Sequence, residues 1–338
     1  MNLRTADDRS RIEQSTRGRL LRACSLGGVF LAAAAGAIAQ AYPSKPVRFI
    51  VPFAAGGSAD IVARVLAPKL GEQLGQPLVI DNRPGASAII GVEAGAKAPP
   101  DGYTITLGGF SSHVINAHLF AKLPYDPVRD FVAITVLTRI PNVLSAHPSL
   151  PAKSVGEMIA LARARPGQIT YATSGSGSSQ HLSGVLLEKL AGIKLVHVPY
   201  RSGAPAITDL LGGHVATMFA TMPAAVPHIR SGRLRPLGVT SATRSPALPA
   251  LPAIAETVAG YDIATYYSAH VPAGTPKDIV AKLYAAFAKV LLAPDIRERL
   301  AADGAEAVAN TPDEFTAQLK AELARWGPLI RDAGVRAE

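Results

Sequence analysis

Two short stretches rich in glycine and serine hold the residues most open to a ligand. The first, 52–60, reads "PFAAGGSAD", and the second, 172–182, reads "ATSGSGSSQHL". Each follows an apolar run and precedes a helical pattern, which predicts a strand, a tight turn and a helix start. At a helix N-terminus the first N–H groups have no partner within the helix, and the peptide dipoles add about half a positive charge. Carboxylates and phosphates bind such ends. Ala55, Gly56, Gly57 and Ser58 in the first turn are therefore candidate ligands of an anion. So are Ser174, Gly175, Ser176, Gly177 and Ser178 in the second. Asp60 falls in the first turn of its helix, where a negative charge is favourable for structural reasons alone. It is also placed to accept a hydrogen bond from a ligand amine or a bridging water. A serine-capped turn explains either stretch by itself, whereas two such turns facing each other favour a shared anion site.

Other loops offer polar side chains. "GGFSSHVINAHL" (108–119) follows a strand candidate and presents Ser111, Ser112 and Asn116. "VPYRSGAPA" (198–206) follows another, where Tyr200 can pack over a ligand and Arg201 can pair with a carboxylate or stay in solvent. Sharper motifs fail on inspection. No lysine follows either glycine cluster as a nucleotide P-loop requires. The Gly175-Ser176-Gly177 start has Gln180 where a dinucleotide fingerprint needs its third glycine. No serine has the flanking glycines of a hydrolase elbow. The eight histidines, His113, His118, His147, His181, His197, His214, His228 and His270, show no metal-ligand spacing. No catalytic residue, metal site or cofactor is expected.

The elements that must carry these residues alternate. Strands are expected at 47–53, 78–82, 103–107, 169–173, 195–200, 216–220 and 234–241, with helical patterns between them. "SSQHLSGVLLEKLAG" places Leu182, Val185, Leu186 and Leu190 on one face and ends at Gly192. "TPDEFTAQLKAELARW" opens with a Thr311/Glu314 capping box and Pro312 in its first turn. Pro68 interrupts the helix that begins near Ser58, so a kink or break is expected there. This alternation predicts an α/β fold with largely parallel sheets. Two extended, proline-marked stretches, 136–150 and 260–276, divide it. If the chain crosses between lobes at both, lobe 1 is 42–143 plus 267–338 and lobe 2 is 144–266, with hinges near 140–146 and 262–268.

The chain has 338 residues and a net charge of +9. Residues 1–41 read as a Sec-type signal peptide: six arginines, a short apolar core "LGGVFLAAAAGAIA", then small residues suited to cleavage. That core is too short to span about 30 Å of hydrocarbon. The leader carries a net +3, which leaves the remainder about +6, with no Lys/Arg run and few aromatics. Nucleic-acid binding has no support there, while a weak positive field suits small anions. The only cysteine, Cys24, lies in the leader, so the mature chain has no thiol chemistry.

The series "YPSKPVRFIVPFAAGGSADIVAR", "VIDNRPGASAIIG", "PPDGYT", "ATSGSGSSQHL", "VPYRSGAPA", "LLGG", "PHIRSGRLRPLGVTSATRS" and "PAGTP" closely resembles the Bug receptors. These are the periplasmic solute-binding proteins of the tripartite tricarboxylate transporter family. The resemblance covers essentially the whole mature chain. It implies a two-lobe α/β periplasmic binding protein of the type II, Venus-flytrap kind, each lobe a mixed or parallel sheet flanked by helices. It implies no catalysis and no metal. It also implies a periplasmic monomer that grips a solute carboxylate between the two turns, often through bridging waters, and delivers it to the membrane subunits of a transporter. The solute class left open is a di- or tricarboxylate, an aromatic acid or an acidic amino acid. The chain departs from the family pattern at Ala216 and Thr221, where an acid is frequent, and at Tyr266 and Ser268, where an aromatic-glycine pair is frequent. The distal part of the solute would then be read by Ser111, Asn116, Tyr200, Thr221 and Tyr266. Two alternatives stand beside this: a ligand-sensing partner of a membrane signalling protein, and an exported enzyme acting on an anionic substrate.

Overall fold

The computed structural model describes residues 42–302 and 304–335; the expected signal peptide, with Cys24, lies outside the described residues. The first apolar run forms β1 (Val47–Val51) and the first glycine turn leads into α1 (Ser58–Leu74). β2 (Leu78–Asn82), α2 (Ile89–Ala96) and β3 (Thr104–Gly109) follow. A wide helical turn, Phe110–Ile115, runs into the short α3 (Asn116–Leu119). The 16-residue strand β4 (Phe131–Ala146) comes next, then α4 (Val155–Ala164), β5 (Thr170–Thr173) and α5 (Ser179–Ala191). β6 (Val196–Pro199), α6 (Gly203–Leu211), β7 (Thr217–Thr221), α7 (Met222–Arg230) and β8 (Arg235–Val239) complete that half. β9 (Ala264–Pro272), α8 (Lys277–Leu291), α9 (Pro294–Ala302), β10 (Glu306–Ala307) and α10 (Pro312–Asp332) close the chain.

All seven expected strands form, each end within two residues of the expectation. Their parallel pairings are β1 with β2 and β3, and β5 with β6 and β7. The two proline-marked stretches are themselves strands, and they make the sheets mixed. β9 is antiparallel to β3 and to residues 131–141 of β4. At Pro141–Asn142 strand β4 changes partners. Asn142–Ala146 pair antiparallel with β7 on one side, and Val143–Ala146 pair with β8 on the other. One strand therefore belongs to two sheets, and the order β2-β1-β3-β9-β4-β7-β5-β6 runs across both. Expecting largely parallel sheets missed this, because hydrophobicity alone does not assign strand direction in a strand buried on both faces.

Helix ends follow local chemistry. α5 has Ser178 as N-cap, accepting from His181 N, and ends at Gly192 with φ 62°. α10 opens on the Thr311/Glu314 capping box with proline in the first turn. α1 does not break at Pro68: it is one helix of 17 residues. Pro68 is exposed, so the carbonyl its missing N–H leaves unpaired faces solvent, where the cost is lowest. On α5, Leu182, Val185 and Leu186 are buried but Leu190 is 42 % exposed; Leu187 and Ala191 take its place in the core. The largest core cluster joins Phe110, Tyr171, Tyr266, Phe315 and Trp326, with Trp326 fully buried against Phe110 at a ring separation of 5.3 Å. This packing fixes the strand ends from which the loops below project.

Candidate functional site

The C-terminal ends of β1, β3, β5 and β7 and the first half of β9 converge on a cavity of about 580 Å³. Clefts at the carboxyl ends of strands are the usual ligand sites of open α/β sheets. Helices α1, α5 and α7 all begin there, contributing Ser58, Ser179 and Gln180, and Pro223 and Ala224 respectively. Three positive dipole ends therefore meet at one cavity.

The first turn has a different wiring from a row of free amides. Gly56 N donates to Asp60 Oδ2 at 2.8 Å and Gly57 N donates to Ala54 O at 3.3 Å. The donors left uncapped by any side chain are those of the first turn of α1, whose N-cap is Gly57. Gly56 has φ 79°, a conformation costly to any residue with a Cβ. Asp60 is 2 % exposed and organises this turn without lining the cavity. Its carboxylate also accepts from Arg64 Nε at 2.8 Å and Asn82 Nδ2 at 2.9 Å. The Arg64 guanidinium, with help from Gly56 N–H and the Asn82 amide, holds the Asp60 carboxyl down to about 2 against the opposing effect of burial. Ser58 does line the cavity, and its Oγ shares a 2.7 Å hydrogen bond with Tyr267 Oη.

The second turn is closed by its own hydrogen bonds. Ser174 N donates to Gln180 Oε1 at 2.7 Å, Gly175 N to Thr173 Oγ1 at 3.3 Å and Gly177 N to His181 Nδ1 at 3.1 Å. Ser178 Oγ donates to Gly175 O at 2.7 Å while capping α5. A Cβ on Gly177, where φ is 75°, would lie 2.5 Å from Leu119 Cδ1. Ser174 and Ser178 line the cavity, whereas Gly175, Ser176 and Gly177 shape the loop behind them. His181 stacks on His197 at 3.8 Å, and Thr173 Oγ1 lies 2.7 Å from His197 Nε2. Burial and the neighbouring His197 push His181 down to about 4, which leaves Nδ1 neutral to accept from Gly177.

Among the remaining expected residues, Ser111 and Thr221 line the cavity. The others face elsewhere. Ala55 is exposed on the rim of its turn. Ser112 is fully buried, with Oγ 3.0 Å from His113 Nδ1. Asn116 Nδ2 donates to Ser87 O at 2.8 Å. Tyr200 Oη donates to Asp209 Oδ2 at 2.6 Å, and Arg201 is exposed. Tyr266 packs into the core against Phe110 and Phe315, and its Oη has no partner. Tyr267, one residue on, faces the cavity because successive residues of a strand point to opposite sides. Ser179, whose hydroxyl the sequence offered as a donor, lines the cavity too, while sequence reasoning missed Gln180 and Thr265. Thr265 Oγ1 donates to Ser179 Oγ at 2.6 Å, tying β9 to the start of α5. For Gln180 the signal existed, since it lies in the first turn of the helix the serine turn announces. For Thr265 and Tyr267 it did not, because it depends on register.

None of the described residues lining the cavity is charged. Its polar groups are hydroxyls, one amide and helix starts; its other walls are apolar, including Ile61, Ile140 and Leu300. No helix among the described residues is long and apolar enough to cross a membrane, and no group of metal-ligating side chains occurs among them.

The comparisons with known proteins agree with this geometry. The chain is 37% identical over 324 residues to "Protein BugT" of Bordetella pertussis, covering 94% of this chain and 99% of that protein. It resembles a solved structure described as "R. palustris Rpa4515 with adipate", with TM-score 0.76 and 39% identity over 87% of this chain and 99% of that one. It also resembles "MatC (Rpa3494) from Rhodopseudomonas palustris with bound malate", with TM-score 0.71 and 32% identity over 86% and 100% of the two chains. The model of the "Tripartite tricarboxylate transporter family receptor" (TctC) matches residues 62–335. The chain belongs to this receptor family, the family of the Bug solute-binding proteins, and has its periplasmic binding protein-like α/β fold.

Proposed function

We propose that this protein is a periplasmic receptor that captures a small carboxylate-bearing solute and hands it to the membrane subunits of a tripartite tricarboxylate-type transporter. The observation that carries the reading is the meeting of three helix starts and a set of hydroxyls at one cavity without a charged side chain among the described lining residues. Such a site attracts an anion through preorganised dipoles, which need no reorganisation when it arrives. Two similar proteins were solved with adipate and malate, both carboxylates, which supports the same class here.

In this reading Ser58 and the first turn of α1 form one jaw, and Ser174, Ser178 and the start of α5 form the other. The lobes are 42–143 plus 267–338, and 144–266, hinged near 140–146 and 262–268. The change of partners by β4 at Pro141–Asn142 supports that division. The solute shifts an open–closed equilibrium by its higher affinity for the closed form. The receptor works as a monomer, without cofactor or nucleic acid. It binds without turnover: Ser58 is hydrogen-bonded to Tyr267 and Ser179 to Thr265, so neither hydroxyl has a histidine or carboxylate base to activate it.

The test is a thermal-unfolding screen of the purified protein against mono-, di- and tricarboxylates. A true ligand at 100 times its Kd stabilises by about 2.7 kcal/mol. Stabilisation by at least one carboxylate is expected, and indifference to all of them would refute the reading.

A further inference from the structure

We propose that the cavity selects carboxylates carried on an apolar body with no ammonium group: aliphatic or aromatic acids, or simple diacids, in preference to amino acids and hydroxy-tricarboxylates. This rests on the carboxylate reading above and narrows it. The cavity has two kinds of wall. The polar wall offers hydroxyls, chiefly Ser58 with Tyr267 and Ser179 with Thr265. Gln180 belongs to it, and its carbonyl oxygen already accepts from Ser174 N–H, which leaves its NH2 as the less committed end of the amide. Donors and helix N-termini suit a carboxylate, which is acceptor-only.

The apolar wall is built from both halves of the chain. Ile61 and Val62 come from α1, Ile140 from β4, Leu300 from α9 and Ala224 from α7. α1 packs on α9. A Cβ on Gly304 would lie 2.4 Å from Met222 Cγ, so the turn carrying Ala305 sits directly against the start of α7. The third helix start also presents Pro223, which has no N–H to give. A solute filling this side is matched by methylene or aromatic surface.

An ammonium group is all donors and needs acceptors, best a carboxylate. None of the described lining residues supplies one. Asp60, the carboxylate closest in sequence to the first turn, is buried away from the cavity. Its Oδ2 is engaged by Gly56 N and Arg64, and its Oδ1 by Asn82. The three helix N-termini repel the same cation. The third carboxylate and hydroxyl of a hydroxy-tricarboxylate would have to share the remaining hydroxyls or meet the apolar wall, with no cation among the described lining residues to offset the lost hydration.

Calorimetric titration at pH 7.5 against matched pairs tests this: hexanoate with 2-aminohexanoate, adipate with 2-aminoadipate and phenylacetate with phenylglycine, plus citrate. Every parent acid that binds is expected to bind at least tenfold more tightly than its aminated partner and than citrate. An aminated acid or citrate that binds within tenfold of the best parent, or more tightly, overturns the inference while leaving the carboxylate reading intact. If none of the seven binds, the carboxylate reading falls and the inference falls with it.

Discussion

Tyr266 and Tyr267 are neighbours on β9 with opposite fates. Tyr267 lines the cavity and shares a hydrogen bond with Ser58, while Tyr266 is 4 % exposed in the core with an unpartnered hydroxyl. Removing a hydrogen-bonded hydroxyl costs about 1 kcal/mol, whereas removing a buried hydroxyl without a partner is neutral or stabilising. Tyr267→Phe is therefore expected to weaken carboxylate binding roughly 3- to 10-fold. Tyr266→Phe is expected to leave affinity unchanged and the denaturation midpoint equal or higher. Calorimetry and urea unfolding of the two variants check the pair, and the reverse ranking would show that β9 is misread. The sequence named Tyr266 because it occupies the place where an aromatic was expected. Which of two adjacent tyrosines faces the ligand depends on the register of β9 against β3 and β4, and no local pattern encodes that. Asp60 carries the same lesson: its type and position were legible, but its inward engagement with Arg64 and Asn82 was not.

At the scale of elements, the two glycine turns were legible because glycine, serine and a following amphipathic run leave few other conformations. Helix starts and stops at Ser178, Gly192 and Thr311 fell where capping chemistry put them. What stayed hidden was the wiring inside the turns. In the second, a neutral His181 accepts from Gly177 N–H. Because burial lowers His181 from 6.5 to about 4, the unfolded chain takes up a proton before the folded one as pH falls. Stability contributed by neutral His181 is thus complete above pH 6.5 and is lost between 6.5 and about 4. His113, lowered to about 3 by burial, acts in the same sense. Glu188 and Glu322, raised by burial, act in the opposite sense. Asp60 remains charged until pH falls below its ordinary 3.8 toward 2, outside this window. The urea midpoint is expected to fall from pH 7 to 4.5, and to fall less in His181→Gln, whose amide oxygen can accept the same N–H without titrating. An identical pH dependence in the variant would show that His181 does not hold the turn.

At the scale of the whole molecule, alternation of strands and helices sufficed for an α/β fold, but not for the antiparallel strands that join the two sheets. β4 is buried along nearly its whole length, contains Pro141, and pairs with different strands at its two ends. A strand buried on both faces, whose polar residues fall in no regular alternation, has no period from which direction or partner could be read. The topology explains why hydroxyls from β9, α1 and α5 meet, since β4 belongs to both sheets and β9 pairs beside it. It also sets this cavity apart from a second, basic groove of about 260 Å³ that includes Arg139, Arg244 and Arg297. There Arg139 pairs with Asp262, and Arg244 makes two 2.8 Å hydrogen bonds to Glu256, so two of its three cations are already neutralised. Charge alone would send an anion to that groove; the proposed reading, resting on dipoles, hydroxyls and apolar walls, sends it to the cavity. A crystal structure with a bound carboxylate decides between them. Carboxylate oxygens are expected within about 3.5 Å of Ser58 or a bridging water on one side and of Ser178 or the first turn of α5 on the other. A carboxylate seated instead among Arg139, Arg244 and Arg297, with the cavity lacking solute, would contradict that reading.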